Sequence, residues 1–147
     1  MATLNSFEDL EVWQLARAYA KAVYLLTTQG ALAKDFSLKN QMNESSGSIM
    51  DNIAEGFERD GNKEFITFLS YAKGSAGESR SQLYRAYDRQ YIDEETFVRL
   101  KADVELISKK ISGFIGYLKR SDYRGLKFSE PPTETWIPET YNLEHEI

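Results

Sequence analysis

Apolar residues recur three and four apart along most of this chain, and that period predicts helices rather than strands. The clearest seam is Phe97, Leu100, Val104, Ile107, Ile111, Phe114 and Leu118, which alternates without a slip. It predicts a helix over about 94–121, capped by Asp93. Glu94 and Glu95 at its start and Lys119 and Arg120 at its end suit the helix macrodipole. A second stripe, Phe65, Leu69, Ala72, Ala76, Ser79, Leu83 and Ala86, predicts a helix over about 63–91 with Asn62 as its cap. Upstream, Leu38, Met42, Ser45, Ile49, Ile53 and Gly56 share one face of a helix over about 38–58, capped by Ser37. The first helix, about 7–29 with Ser6 as cap, carries two adjacent rows. One is Trp13, Ala16, Ala20 and Val23; the other is Val12, Leu15, Tyr19, Ala22 and Leu26.

Four helices with short links give an all-α, up-down-up-down antiparallel four-helix bundle. The small faces of the second and third helices, Ser45, Ile49 and Gly56 against Ala72, Ala76 and Ser79, pair them as close neighbours. Gly56 costs about 1 kcal/mol against alanine inside a helix, which makes sense where another backbone passes close. Gly74-Ser-Ala-Gly77 reads as part of the same packing. Tyr84, Tyr87 and Tyr91 form a row read as a packed flank with wet hydroxyls. The bundle occupies residues 1–122, and 123–147 form an extended tail. Pro131, Pro132 and Pro138 forbid helix there, while Trp136, Ile137 and Tyr141 suit docking on the bundle or on a neighbouring subunit.

The stretch Asn52-Ile-Ala-Glu-Gly-Phe-Glu-Arg59 resembles the signature of small bacterial four-helix-bundle proteins first met in intervening sequences of large-subunit ribosomal RNA genes. Phe7-Glu-Asp-Leu-Glu-Val-Trp13 is similar to the family's opening, and Ala72-Lys-Gly-Ser-Ala-Gly-Glu78 to its A-x-G-S-x-x-E segment. The likeness runs in order over about 7–120. It implies a homopentamer with a central channel. Other relatives are accessory subunits of reverse transcriptases in diversity-generating elements, where they bind RNA, so structured RNA and a reverse transcriptase are the partners that the resemblance implies. Many members carry a basic pair shortly after the glutamine equivalent to Gln41; here those positions are Asn43 and Glu44.

Composition narrows the chemistry. With 147 residues, 41% of them hydrophobic, the chain can bury a core, and with no cysteine it can form neither disulfides nor thiolate metal sites. Its only histidine, His145, lies in the tail, which rules out inward Glu-x-x-His di-iron pairs and a histidine-activated nucleophile in the bundle. No enzyme, cofactor or metal site is therefore expected. No apolar run reaches membrane-span length and no signal peptide opens the chain, so a cytoplasmic location without membrane contact is expected.

The polar set Asn52, Glu55, Gly56, Arg59, Ser75 and Glu78 reads as a structural network joining the second and third helices, with Arg59 neutralising Glu55 or Glu78. Two apolar rows on the first helix exceed the need of one bundle, which makes Val12, Leu15, Tyr19 and Leu26 the candidate subunit contact. Net charge is −5, yet five of the 23 acids lie after Lys127, leaving 18 before it to match all 18 bases. The candidate nucleic-acid surface is Lys109, Lys110, Lys119, Arg120, Arg124 and Lys127. The acidic tail then either masks that surface or clasps a neighbour.

Overall fold

The computed structural model describes residues 4–121, and these form four long helices with no strand among them. They are α1 (Glu11–Thr27), α2 (Phe36–Glu58), α3 (Asn62–Asp88) and α4 (Glu94–Arg120). Packing follows chain order, α1 on α2, α2 on α3 and α3 on α4, and α4 returns to α1 along the thinnest seam. The expected bundle is the observed one. The expected tail, with Arg124, Lys127 and His145, lies outside the described residues.

Helix starts depart from expectation in three places. Ser6 does not cap α1. A short 3-10 turn over Phe7–Asp9 comes first, then Leu10 in an extended conformation, and α1 begins at Glu11. The break turns Leu10 fully into the core, and Phe7 meets the Trp13 ring edge-on at 5.1 Å. Ser37 is not the cap of α2 either: Asp35 is, its carboxylate accepting the Leu38 N–H at 3.2 Å. At α3 the cap position is Gly61, whose φ of +100° favours glycine. Asn62 instead reaches across to the end of α4, donating to the carbonyls of Leu118 at 3.2 Å and Ser121 at 3.3 Å. Asp93 does cap α4, accepting the Thr96 N–H at 2.8 Å.

Helix α3 stops at Asp88, three residues short of expectation. The Tyr91 N–H bonds the Ala86 carbonyl and the Gln90 N–H bonds the Tyr87 carbonyl, both at 2.9 Å. This is a Schellman ending, with Gln90 in the left-handed region at φ 62° where glycine is the usual occupant. The ending places Tyr91 so that its hydroxyl donates to Asp35 at 2.8 Å, beside the Arg89–Asp35 ion pair of 2.8 Å. One carboxylate thus ties the start of α2 to the end of α3.

The core follows the predicted stripes. Every apolar position of the α4 seam is buried, as are Leu38, Met42, Ile49 and Ile53 of α2 and Phe65, Leu69, Ala72 and Ala76 of α3. Phe65 sits where α2, α3 and α4 meet, edge-on to Phe57 at 6.0 Å and to Phe114 at 5.2 Å. Burial of this kind contributes roughly 1.5–3 kcal/mol per large side chain.

Candidate functional site

The signature segment ends α2 where α3 passes close to Gly56. A methyl group on Gly56 would fall 2.7 Å from Phe68 Cβ and 3.0 Å from the Phe65 ring, so the glycine is required by backbone approach. One turn back, Asn52 donates to both the carbonyl and the hydroxyl of Ser48 at 2.9 Å, and Ser75 of α3 donates to the Ser48 hydroxyl at 3.0 Å. Asn52 and Ser75 are therefore joined as expected, but through Ser48, which the sequence pattern did not single out. Its signal was there: Ser48 precedes Asn52 by four residues, one helical turn.

Glu55 and Arg59 lie outside that cluster. They pair at 3.0 Å with both side chains about half exposed, and the Arg59 guanidinium lies 5.1 Å from the centroid of the Phe68 ring. Glu78 is exposed and makes no hydrogen bond or ion pair with a described residue. The expected six-membered network is thus two separate features with Glu78 in neither, because Glu78 is on the outer side of α3 while Ala76 and Ser79 face in. Gly74 and Gly77 are on that outer side too. A methyl group on either would meet no atom within 4 Å, so they do not serve helix packing.

On α1 the structure separates the candidate contact residues. Val12 and Tyr19 are buried in their own bundle and are not available to a partner. Tyr19 reaches across to α3, its hydroxyl 2.6 Å from the Ser79 hydroxyl, and burial pushes its pKa up to about 12. Leu15, Ala22 and Leu26 are only half-buried, and Ala18 and Leu25 are exposed. The apolar edge left on the surface is Leu15, Ala18, Ala22 and Leu25, one step round the helix from the row read in the sequence. Tyr24, 57% exposed beside Leu25 at 48%, extends it.

The candidate basic surface is also smaller than expected. Lys110 is only 4% exposed and pairs with Glu11 at 3.2 Å, so it pins α4 to the start of α1 and does not face solvent. Its aliphatic stem is what places it beside the buried seam. Lys109 is half-buried, while Lys119 and Arg120 are exposed at the C-terminal end of α4. Asn43, at one position of the family's basic pair, donates to the Thr27 hydroxyl at 2.9 Å and thereby ties α2 to the end of α1. Glu44 is exposed. The tyrosine row is largely a packed flank: Tyr87 stacks on Phe97 at 4.6 Å, and Tyr84 meets the same ring edge-on at 4.9 Å.

Among the described residues no group of three or more His, Cys, Asp or Glu side chains could hold a metal ion. No described helix is long and apolar enough to cross a membrane.

A four-helix bundle closed on its signature glycine defines the class of protein. Residues 8–113 match the family model of the 23S rRNA-intervening sequence protein, and the chain belongs to that family. No curated protein matches the chain. Among solved structures, one similar chain is a protein of unknown function from the S23 ribosomal protein family of Bacteroides thetaiotaomicron. It is 24% identical, with a TM-score of 0.65 over 71% of this chain and 97% of that one, a likeness of fold.

Proposed function

We propose that this protein is a non-enzymatic interaction module that works as a closed homo-oligomer, a ring of five by family resemblance. The observation that supports this most is the apolar edge of α1. Leu15, Ala18, Ala22 and Leu25 continue along one line of the helix, and the bundle leaves them partly or wholly uncovered. A run of large and small apolar residues along a helix is suited to a neighbouring subunit. Leu15→Glu with Leu25→Glu gives smaller species in solution, since charge would be buried at the contact. Unchanged assembly of that double variant contradicts the placement.

A second reading, an RNA-binding accessory role, rests on exposed Lys119 and Arg120 at one end of α4. Repeated around a ring, these pairs would form a basic collar. Binding to structured RNA would then weaken steeply between low and moderate salt. A flat salt response favours a scaffold that joins proteins.

A further inference from the structure

Between Val12 and Asn43 the chain carries four bases, Arg17, Lys21, Lys34 and Lys39, and a single acid, Asp35. That acid is already engaged by the Leu38 N–H, the Tyr91 hydroxyl and Arg89. Arg17, Lys21 and Tyr24, four and three apart, share one exposed line of α1. Phe36, Lys39 and Asn43, three and four apart, share one line of α2, and Glu44, the next acid, falls a step off it round the helix. Hydrogen bonds bring the two lines together. The Asn43 amide donates to the Thr27 hydroxyl at 2.9 Å and to the Lys39 carbonyl at 3.2 Å, and the Thr27 hydroxyl donates to the Tyr24 carbonyl at 2.8 Å. The turn of α1 that holds Tyr24 thus abuts the turn of α2 that holds Lys39. Tyr24 is 57% and Phe36 68% exposed, and the Lys39 ammonium lies 5.9 Å from the centroid of the Phe36 ring. Basic and aromatic side chains alternate across this face, and the bundle leaves both rings largely uncovered.

The complement of such a face is an acidic segment with aromatic anchors. The chain carries one outside the described residues. Residues 128–147 hold five glutamates and no lysine or arginine. Within them Glu134-Thr-Trp136 and Glu139-Thr-Tyr141 repeat one order, an acid two positions before an aromatic. The reach is sufficient. Asn62 bonds Leu118 and Ser121, so α4 ends beside the start of α3, whereas the Asp35–Arg89 pair sets the start of α2 at the other end of the bundle. The path is thus about the length of the 27-residue α4, or about 40 Å. Fifteen residue steps separate Ser121 from Trp136, about 50 Å of extended chain. We propose that the tail folds back onto this α1–α2 face of its own chain, with Trp136 and Tyr141 against Tyr24 and Phe36, and Glu134 and Glu139 against Lys21 and Lys39. The rings favour this face over the end of α4, where Lys119 and Arg120 are exposed but no large apolar residue is. A docked tail is a built-in competitor for any anionic partner of the face. The inference needs nothing from the assembly reading.

The experiment reads the exposure of Trp136 in the full-length protein by acrylamide quenching of its fluorescence. The difference between wild type and Trp136→Phe removes the signal of Trp13, the other tryptophan. Trp136 is expected to be quenched about threefold less than in a free peptide of residues 128–147, as for a mostly docked population. High salt shrinks that difference, because the pairs lie at the surface. Lys21→Glu with Lys39→Glu brings quenching up to the peptide value, with far-UV circular dichroism unchanged. Adding Glu134→Lys and Glu139→Lys restores protection, which a merely structural effect of the first pair does not produce. Three results overturn the proposal. If Trp136 is quenched in wild type as readily as in the peptide, the tail is not docked, and weaker binding of single-stranded RNA by the lysine variant would then assign the face to nucleic acid. If protection survives Lys21→Glu with Lys39→Glu, the tail docks elsewhere. If protection is lost when the protein is diluted to monomer, the occupant is the tail of a neighbouring copy.

Discussion

Gly56 and Arg59 lie one turn apart in the same signature, yet they carry different physical loads. At Gly56 the nearest obstacle to a methyl group is Phe68 Cβ, which cannot move without moving α3. Gly56→Ala is expected to cost about 1–3 kcal/mol by overpacking, despite alanine's better helix propensity, and chemical denaturation would measure it. An unchanged midpoint would mean that α3 yields freely at this point. Arg59 is tied only to a half-exposed Glu55 and to the face of Phe68. Arg59→Ala is expected to change stability by less than about 1 kcal/mol. A larger loss in the same assay would show that the guanidinium does more than these two contacts. The glycine was legible in the sequence because its cost in a helix demands a reason. Glu78 was not: charge and spacing place it near Arg59 on paper, but a helix of 3.6 residues per turn carries it to the outer side.

At the scale of elements, the stripes predicted the helices, and the caps set where they begin and end. Asp35 was missed because Ser37 is also a strong capping residue, and the choice between them is made by Tyr91 and Arg89, distant in sequence. The Tyr91 hydroxyl first, then the Leu38 N–H, hold the Asp35 carboxyl below its usual range. A carboxyl depressed in the folded state contributes stability above its unfolded pKa and loses it as pH falls through the folded value. Asp35→Ala should therefore lower the melting temperature most above the ordinary aspartate pKa of about 3.9, with the difference from wild type closing as pH falls below it. A gap that stays constant with pH would mean that the capping charge is irrelevant. The end of α3 was also beyond sequence patterning, since Gln90 gives no sign of a left-handed residue. Gln90→Gly relieves that conformation and is expected to raise stability by about 0.5–1 kcal/mol, read from thermal or urea unfolding. A loss would show that the Gln90 side chain has a packing role.

At the scale of the whole molecule, the edge of α1 is an apolar feature among the described residues that the bundle leaves uncovered along a helix. The excess of apolar residues on α1 was visible in the sequence. Which of them are surplus was not, because Tyr19 is claimed by Ser79 two helices away and Val12 by the core. A wheel drawn on one helix cannot show what its neighbours cover. The same blindness placed Lys110 on a basic surface when Glu11 holds it against α1. The most direct test of the central claim is the mass of the full-length wild-type protein in solution at micromolar concentration, by native mass spectrometry. The account predicts a closed multiple of the 16.9 kDa chain, five copies by family resemblance, that falls apart on Leu15→Glu with Leu25→Glu. A wild-type monomer at that concentration contradicts it.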